Sequence, residues 1–285
     1  MRIATITHQG QHRVGHLSAD GLSLQLFDTD GSRGALALIG AATLPALAES
    51  VPLAGVSWAA PLPVPRRNLF CVGRNYQAHA KELRDSVFKG NTTTVDAWPI
   101  VFTKVPDCVV AHGTAVRLPG AAVSVQIDYE AELAIVIGTG GKNIKRADAM
   151  THVYGYTIVN DVTARDVQMR HGQWDLGKSF DTFCPMGPWL VTADELDGSD
   201  TRVRCWVNAE LRQDARTSDL IFDIPTLIET CSRGITLLPG DVIATGTPAG
   251  VGMAMSPPRW LQHGDVVRIE IDGIGTLENQ FVEED

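Results

Sequence analysis

A chain of 285 residues is long enough to bury a large core, and its 44% hydrophobic and 20% charged residues exclude wholesale disorder. A formal net charge of −9, with a pI near 5.3, gives a surface field that repels phosphate backbones and anionic head groups, so neither nucleic acid nor a membrane is an expected partner. Five cysteines (Cys71, Cys108, Cys184, Cys205, Cys231), odd in number and without C-x-x-C spacing, read as reduced thiols. The first ten residues lack the charged and apolar regions of a signal peptide, and no apolar run approaches a membrane span, so a cytoplasmic location is expected.

In chain order, residues 1–62 carry short apolar pieces (3–6, 21–27) split by Gly and Asp-Gly turns, which predicts a small β-rich N-terminal domain. Residues 35–49, rich in Ala and Leu, predict a helix despite Gly40 and Pro45. Three prolines in 59–65 exclude both helix and central strand there and mark a linker. From residue 66 to 285, β-branched and aromatic runs predict strands at 69–72, 99–103, 127–137, 154–160, 189–192, 202–207, 241–245 and 265–271. Helices are expected only at 76–84 and at 224–233, the second closed by Gly234. Many strands with rare helices predict an α+β, mainly β, fold.

The segment Ile127-Asp128-Tyr129-Glu130-Ala131-Glu132-Leu133 carries acids at alternate positions. At a period of two, Asp128, Glu130 and Glu132 share one face, while Tyr129, Ala131, Leu133, Ile135 and Ile137 share the other. Carboxylates two apart on a strand are roughly 7 Å apart and can converge on one cation. Without a cation, each would raise the other's pKa in a buried site. A second apolar strand ends in Asn160-Asp161, and its carboxylate completes a set of three. Hard oxygen ligands in this number suit Mg²⁺, Mn²⁺ or Ca²⁺ rather than Zn²⁺. The other reading of the acids is an edge strand with its carboxylates in solvent.

Three longer stretches, Cys71-Val72-Gly73-Arg74-Asn75-Tyr76-Gln77-Ala78-His79-Ala80-Lys81-Glu82, Asp128-Tyr129-Glu130-Ala131-Glu132-Leu133 and Val159-Asn160-Asp161-Val162-Thr163-Ala164-Arg165-Asp166-Val167-Gln168, resemble the fumarylacetoacetate hydrolase superfamily. Gly177-Lys178-Ser179-Phe180-Asp181 and Thr245-Gly246-Thr247-Pro248-Ala249-Gly250-Val251 continue the resemblance, which spans about 66–285. It implies a catalytic domain built on a rolled mixed β-sheet and assembled as a homodimer. It also implies Glu130, Glu132 and Asp161 as ligands of Mg²⁺ or Mn²⁺ (Ca²⁺ as a structural substitute), Lys178 beside the bound oxygens, and a His79–Glu82 dyad. Arg74, Lys104, Arg165, Gln168 and Thr247 are implied pocket residues.

The expected activity is metal-dependent hydrolysis of a C–C bond in a small 2,4-dioxo acid of the acylpyruvate kind. Oxaloacetate decarboxylation, or isomerisation or hydration of ring-cleavage products, would use the same site. A non-catalytic metal-binding scaffold is the reading from another class. His79 and Glu82, three apart, lie on one face of a short helix, where the carboxylate can orient the imidazole as a base. Lys178 adds positive charge where an enolate develops. The polar stretch 84–98 is expected to form a mobile lid.

Overall fold

The computed structural model describes residues 1–86, 97–170 and 172–284; the expected lid at 84–98 falls largely outside them. The strands are β1 (Arg2–His8), β2 (Gln11–Leu17), β3 (Ser23–Phe27), β4 (Leu47–Pro52), β5 (Ser57–Ala59), β6 (Leu69–Gly73), β7 (Ile100–Lys104), β8 (Val109–Val110), β9 (Val116–Leu118), β10 (Ile127–Asp128), β11 (Ala131–Ile137), β12 (Val153–Asn160), β13 (Thr163–Ala164), β14 (Cys184–Thr192), β15 (Arg202–Val207), β16 (Glu210–Arg216), β17 (Val242–Ala244), β18 (Val266–Ile271) and β19 (Gly275–Glu283). The α-helices are α1 (Gln77–Ser86), α2 (Arg165–Arg170), α3 (Asp175–Lys178) and α4 (Ile224–Ser232). None of the described helices is long and apolar enough to cross a membrane.

A mixed sheet runs in the order β4-β3-β2-β1-β14-β12-β11-β17-β6-β7, with β5 beside β1 and β8 beside β14. The N-terminal hairpins therefore continue this sheet: β1 pairs antiparallel with β14, Ile3 opposite Leu190. A second sheet, β16-β15-β18-β19-β9, packs against one face of the first. The expected helix at 35–49 does not form. One helical turn, Gly34–Ala37, is followed by Gly40 at φ 81° and then by the edge strand β4. A left-handed glycine and the donorless Pro45 end any helix there.

β11 is the wall shared by two cores, and every one of its residues is buried. Ala131, Leu133, Ile135 and Ile137 join Tyr129 in a core with Val203, Ile269 and Leu277 of the second sheet. Ala134 and Val136 point the other way, among Ile3, Cys71, Met186 and Val242. The two-residue alternation read from the sequence is thus present, with both faces buried. The expected strand 127–137 is split at Tyr129 and Glu130, because side chains, one of them that of the adjacent Asp128, take its backbone donors. Asp128 Oδ1 accepts from Tyr129 N at 3.0 Å, Asn160 Oδ1 from Glu130 N at 3.0 Å, and Gln213 Oε1 from Ala131 N at 3.1 Å. This break lies at the buried end of the sheet, where the acids gather.

Candidate metal centre and active-site cavity

Glu130 sits in the break before β11, Glu132 is the second residue of β11, and Asp161 follows the last residue of β12. Antiparallel pairing sets Ala131 opposite Asn160 and Glu132 opposite Val159, which draws the three acids to one place. Each offers a carboxylate oxygen, and these oxygens lie within 4.8 Å of one another with all three residues buried. Among the described residues no other group of His, Cys, Asp and Glu converges in this way.

Cations from three elements surround the acids. Lys178 Nζ donates to Glu130 Oε2 at 2.7 Å and to Asp161 Oδ2 at 2.8 Å. Arg165 Nε donates to Asp128 Oδ2 at 2.9 Å, and its Nη2 stands 2.7 Å from Glu130 Oε1. Lys104 Nζ stands 2.8 Å from Asp161 Oδ1 and also donates to the carbonyls of Val162 and Lys178. Burial works against ionised Glu130, but Lys178, Arg165 and His79 outweigh it and hold the carboxyl down at about 2. Glu132 is different. Burial, then the charges of Asp161 and Glu130, push its carboxyl well above the ordinary range, and Lys178 and the Gly246 amide (2.9 Å) offset this only in part.

Four buried carboxyl groups (Asp128, Glu130, Glu132, Asp161) thus face three buried cations (Lys104, Arg165, Lys178), and Glu132 is the one that forms no ion pair with any of the three. Asp161 Oδ1, besides its contact with Lys104, has no aligned hydrogen-bond donor. A hard divalent cation fits both features, since it accepts oxygen ligands and offsets the charge of a buried carboxylate as it ionises.

The raised Glu132 carboxyl predicts a pH dependence whose sign follows from linkage. An acid that binds its proton more tightly folded than unfolded contributes stability at low pH, and this is lost as pH rises above its unfolded value of about 4.3. A metal ion competes with that proton, so the rise in Tm caused by Mn²⁺ is expected to grow between about pH 5 and about pH 8. Differential scanning fluorimetry of chelator-treated and Mn²⁺-loaded protein checks it, and a pH-independent rise contradicts it.

Two of the acids, Glu130 and Glu132, line a cavity of about 260 Å³, near the small end for ligand pockets, while Asp161 is fully buried outside the lining. Of the residues expected at the site, Arg74, His79, Glu130, Glu132, Arg165, Gln168, Lys178 and Thr247 line it. Glu82 lies behind His79: its Oε2 is 3.2 Å from His79 Nδ1, and both its oxygens accept from Gly250 N, at 2.9 and 3.1 Å. Gly250 has to be glycine. Its φ is 106°, and a Cβ there would lie 1.8 Å from Arg212 O.

Lys104 was expected to contact substrate, but the structure places it elsewhere. Its side chain is fully buried behind Asp161, outside the cavity lining, because the Lys178 and Val162 carbonyls and Asp161 supply acceptors that water cannot.

Asp128 was not singled out as a site residue, although it shares the period-two face of Glu130 and Glu132. Fully buried, it accepts from Arg165 Nε, Tyr129 N, Gly252 N (2.7 Å) and Met253 N (3.0 Å), so it ties Arg165 to the loop that follows Gly250. Asp128→Ala strands a buried guanidinium and several amides. It is expected to lower unfolding stability by about 3–5 kcal/mol, the penalty for breaking a buried pair. Urea titration measures this, and a loss below about 1 kcal/mol is the contrary result.

Comparison with known proteins places this geometry. The family model described as "Fumarylacetoacetate (FAA) hydrolase C-terminal" matches residues 68–282. The chain is 50% identical over 230 residues to oxaloacetate tautomerase YisK of Bacillus subtilis, covering 80% of this chain and 74% of that one. It is 44% identical over 245 residues to a human mitochondrial oxaloacetate tautomerase, covering 85% and 73%. Among solved structures, a fumarylacetoacetate hydrolase from Exiguobacterium antarcticum superposes with a TM-score of 0.87 at 40% identity, over the whole of both chains. A 5-carboxymethyl-2-hydroxymuconate delta-isomerase from Mycobacterium smegmatis does so with a TM-score of 0.82 at 36% identity, again over the whole of both chains. With a family match over most of its length and these shared identities, the chain belongs to the fumarylacetoacetate hydrolase family.

Proposed function

We propose that this chain is a divalent-metal-dependent keto–enol tautomerase of a small 2-oxo acid, with oxaloacetate as substrate and Mg²⁺ or Mn²⁺ as the ion. One observation carries the reading: an oriented His79–Glu82 pair and a converged carboxylate triad meet at one small cavity, which His79, Glu130 and Glu132 line. The names of the relatives supply the substrate.

Glu130, Glu132 and Asp161 would hold the ion. When bound, it supplies Lewis-acid polarisation of the 2-oxo group and lowers the barrier to losing a proton from C3. Glu82, fixed by the Gly250 amide, accepts the Nδ1–H of His79 and leaves Nε2 as the basic nitrogen. Nε2 takes the C3 proton, and Glu82 stabilises the imidazolium until the proton is passed on to the enol oxygen. Lys178 stands where negative charge grows on that oxygen. Arg165 is held by Asp128, Glu130 and Gln168 (3.2 Å) and so positions Glu130. No C–C bond need break. Hydrolysis of a 2,4-dioxo acid is the second reading, favoured by the same dyad, which can take a proton from water instead of from C3.

The test is the interconversion of enol and keto oxaloacetate, followed by ultraviolet absorbance with the divalent ion varied. Acceleration that requires Mg²⁺ or Mn²⁺ and vanishes with chelator is expected. Cleavage of acetylpyruvate with no effect on the oxaloacetate equilibration rate would shift the assignment to the hydrolase.

A further inference from the structure

The cavity also has an apolar lining, for which oxaloacetate, a small dianion, carries no matching group. This part of the wall is formed by Val72, Leu83, Phe102, Met169, Trp174 and Met253. This wall is built. The end of β6 carries Gly73, where a Cβ would lie 2.4 Å from Trp174 Cζ3, so the absent side chain makes room for the indole. Trp174 meets Phe102 edge to face, with ring centroids 5.3 Å apart and an interplanar angle of 62°. Asp175, next in the chain, is pinned to β7 by Thr103, whose amide and hydroxyl donate to Asp175 Oδ1 at 3.1 and 2.6 Å. The indole is therefore held at both its backbone and its ring.

The aromatic wall also begins beside the reacting end. Lys178 Nζ, which bridges Glu130 and Asp161, lies 4.8 Å above the Phe102 ring centroid. A 2-oxo acid whose carboxylate and 2-oxo oxygen lie at the triad and Lys178 thus has its C3 substituent within reach of Phe102 and Trp174. Met169 and Met253 add flexible, polarisable surface that adapts to the shape of such a group.

From this arrangement we infer that the enzyme has a second substrate class, pyruvates carrying an aryl or apolar alkyl group on C3, on which it catalyses the same tautomerisation. The inference rests on the proposed tautomerase reading. The step is an isomerisation: the C3–H bond breaks, His79 Nε2 carries the proton, and an O–H bond forms at the 2-oxo oxygen, with no oxidant or reductant required. The apolar substituent supplies binding energy from buried area where oxaloacetate relies on its second carboxylate.

Phenylpyruvate is the probe, assayed beside oxaloacetate with Mn²⁺-loaded enzyme. Metal-dependent tautomerisation of phenylpyruvate is expected, with a KM at least about tenfold below that of unsubstituted pyruvate, as burial of one ring face gives. Trp174→Ala is expected to lower the ratio of kcat/KM for phenylpyruvate to that for oxaloacetate about tenfold, mainly through the phenylpyruvate KM. Met169→Ala, at a half-exposed position where folding is little affected, is expected to lower the same ratio several-fold. Turnover of oxaloacetate without turnover of phenylpyruvate overturns this inference and leaves the tautomerase reading standing. Turnover of neither overturns both. Turnover of phenylpyruvate alone upholds the second substrate class and removes oxaloacetate. Equal KM for phenylpyruvate and pyruvate, or an unmoved ratio in both variants, overturns the apolar wall as the cause.

Discussion

Glu132→Gln is expected to abolish metal binding and turnover together while leaving the metal-free protein at least as stable as the parent. The amide keeps the shape of the carboxylate and can still accept from Gly246 N, so little packing is lost. What disappears is a buried negative charge. Burial and the neighbouring Asp161 and Glu130 make ionised Glu132 unfavourable in the metal-free state, and a neutral side chain removes that repulsion. The same charge is what an ion requires. Loss of outer-shell partners of a metal ligand already costs about 10–100-fold in affinity, so loss of a ligand charge is expected to exceed about 100-fold. Titration calorimetry with Mn²⁺ measures the affinity, and thermal unfolding with chelator at about pH 8 measures the stability. Affinity within about threefold of the parent would mean that Glu132 is not a ligand.

His79→Ala separates proton transfer from metal binding. His79 is buried and lines the cavity, yet the converged oxygens belong to other residues. Turnover is expected to fall by about 10²–10⁴-fold, the usual contribution of a positioned base. Mn²⁺ affinity should stay within about threefold, because His79 contributes none of the converged ligand atoms. Glu82→Gln should cause a smaller loss of about tenfold, since the imidazole stays in place but its cation loses a stabilising carboxylate. Stopped-flow enolisation rates and Mn²⁺ titrations on the same preparations distinguish the effects. Near-parent turnover in His79→Ala would transfer the proton to another cavity group, with Lys178 the first candidate.

Much of this site was legible because its chemistry is concentrated in short runs. The acids at 130 and 132 and the acid closing the next strand announce a converging set, and α1 sets His79 and Glu82 one turn apart. The partition of β11 into two faces was legible for the same local reason. Long-range partners were not. Nothing near Lys104 indicates that its ammonium points inward at Asp161, and nothing near Glu130 indicates that Asn160 and Gln213 interrupt the strand. Asp128 was within reach of the pattern, as the third acid on the face of Glu130 and Glu132. The helix expected at 35–49 rested on Ala and Leu content that Gly40 and Pro45 override. β16 and β19 went unpredicted because charged and polar residues fill alternate positions. In β19, buried Leu277, Asn279 and Phe281 recur at a period of two that could have revealed it. The N-terminal strands were expected as a sheet of their own; their pairing with β14 depends on partners almost 190 residues away, as with Arg2 opposite Val191.

The central claim is that Glu130, Glu132 and Asp161 hold one divalent ion. Anomalous diffraction from a crystal soaked in Mn²⁺ tests it most directly. A single strong peak is expected in the cavity, with an oxygen of each of the three carboxylates at about 2.0–2.3 Å from it, the spacing of hard cations and oxygen. A difference map with no peak among those oxygens, or with the strongest peak on surface carboxylates, would contradict the account.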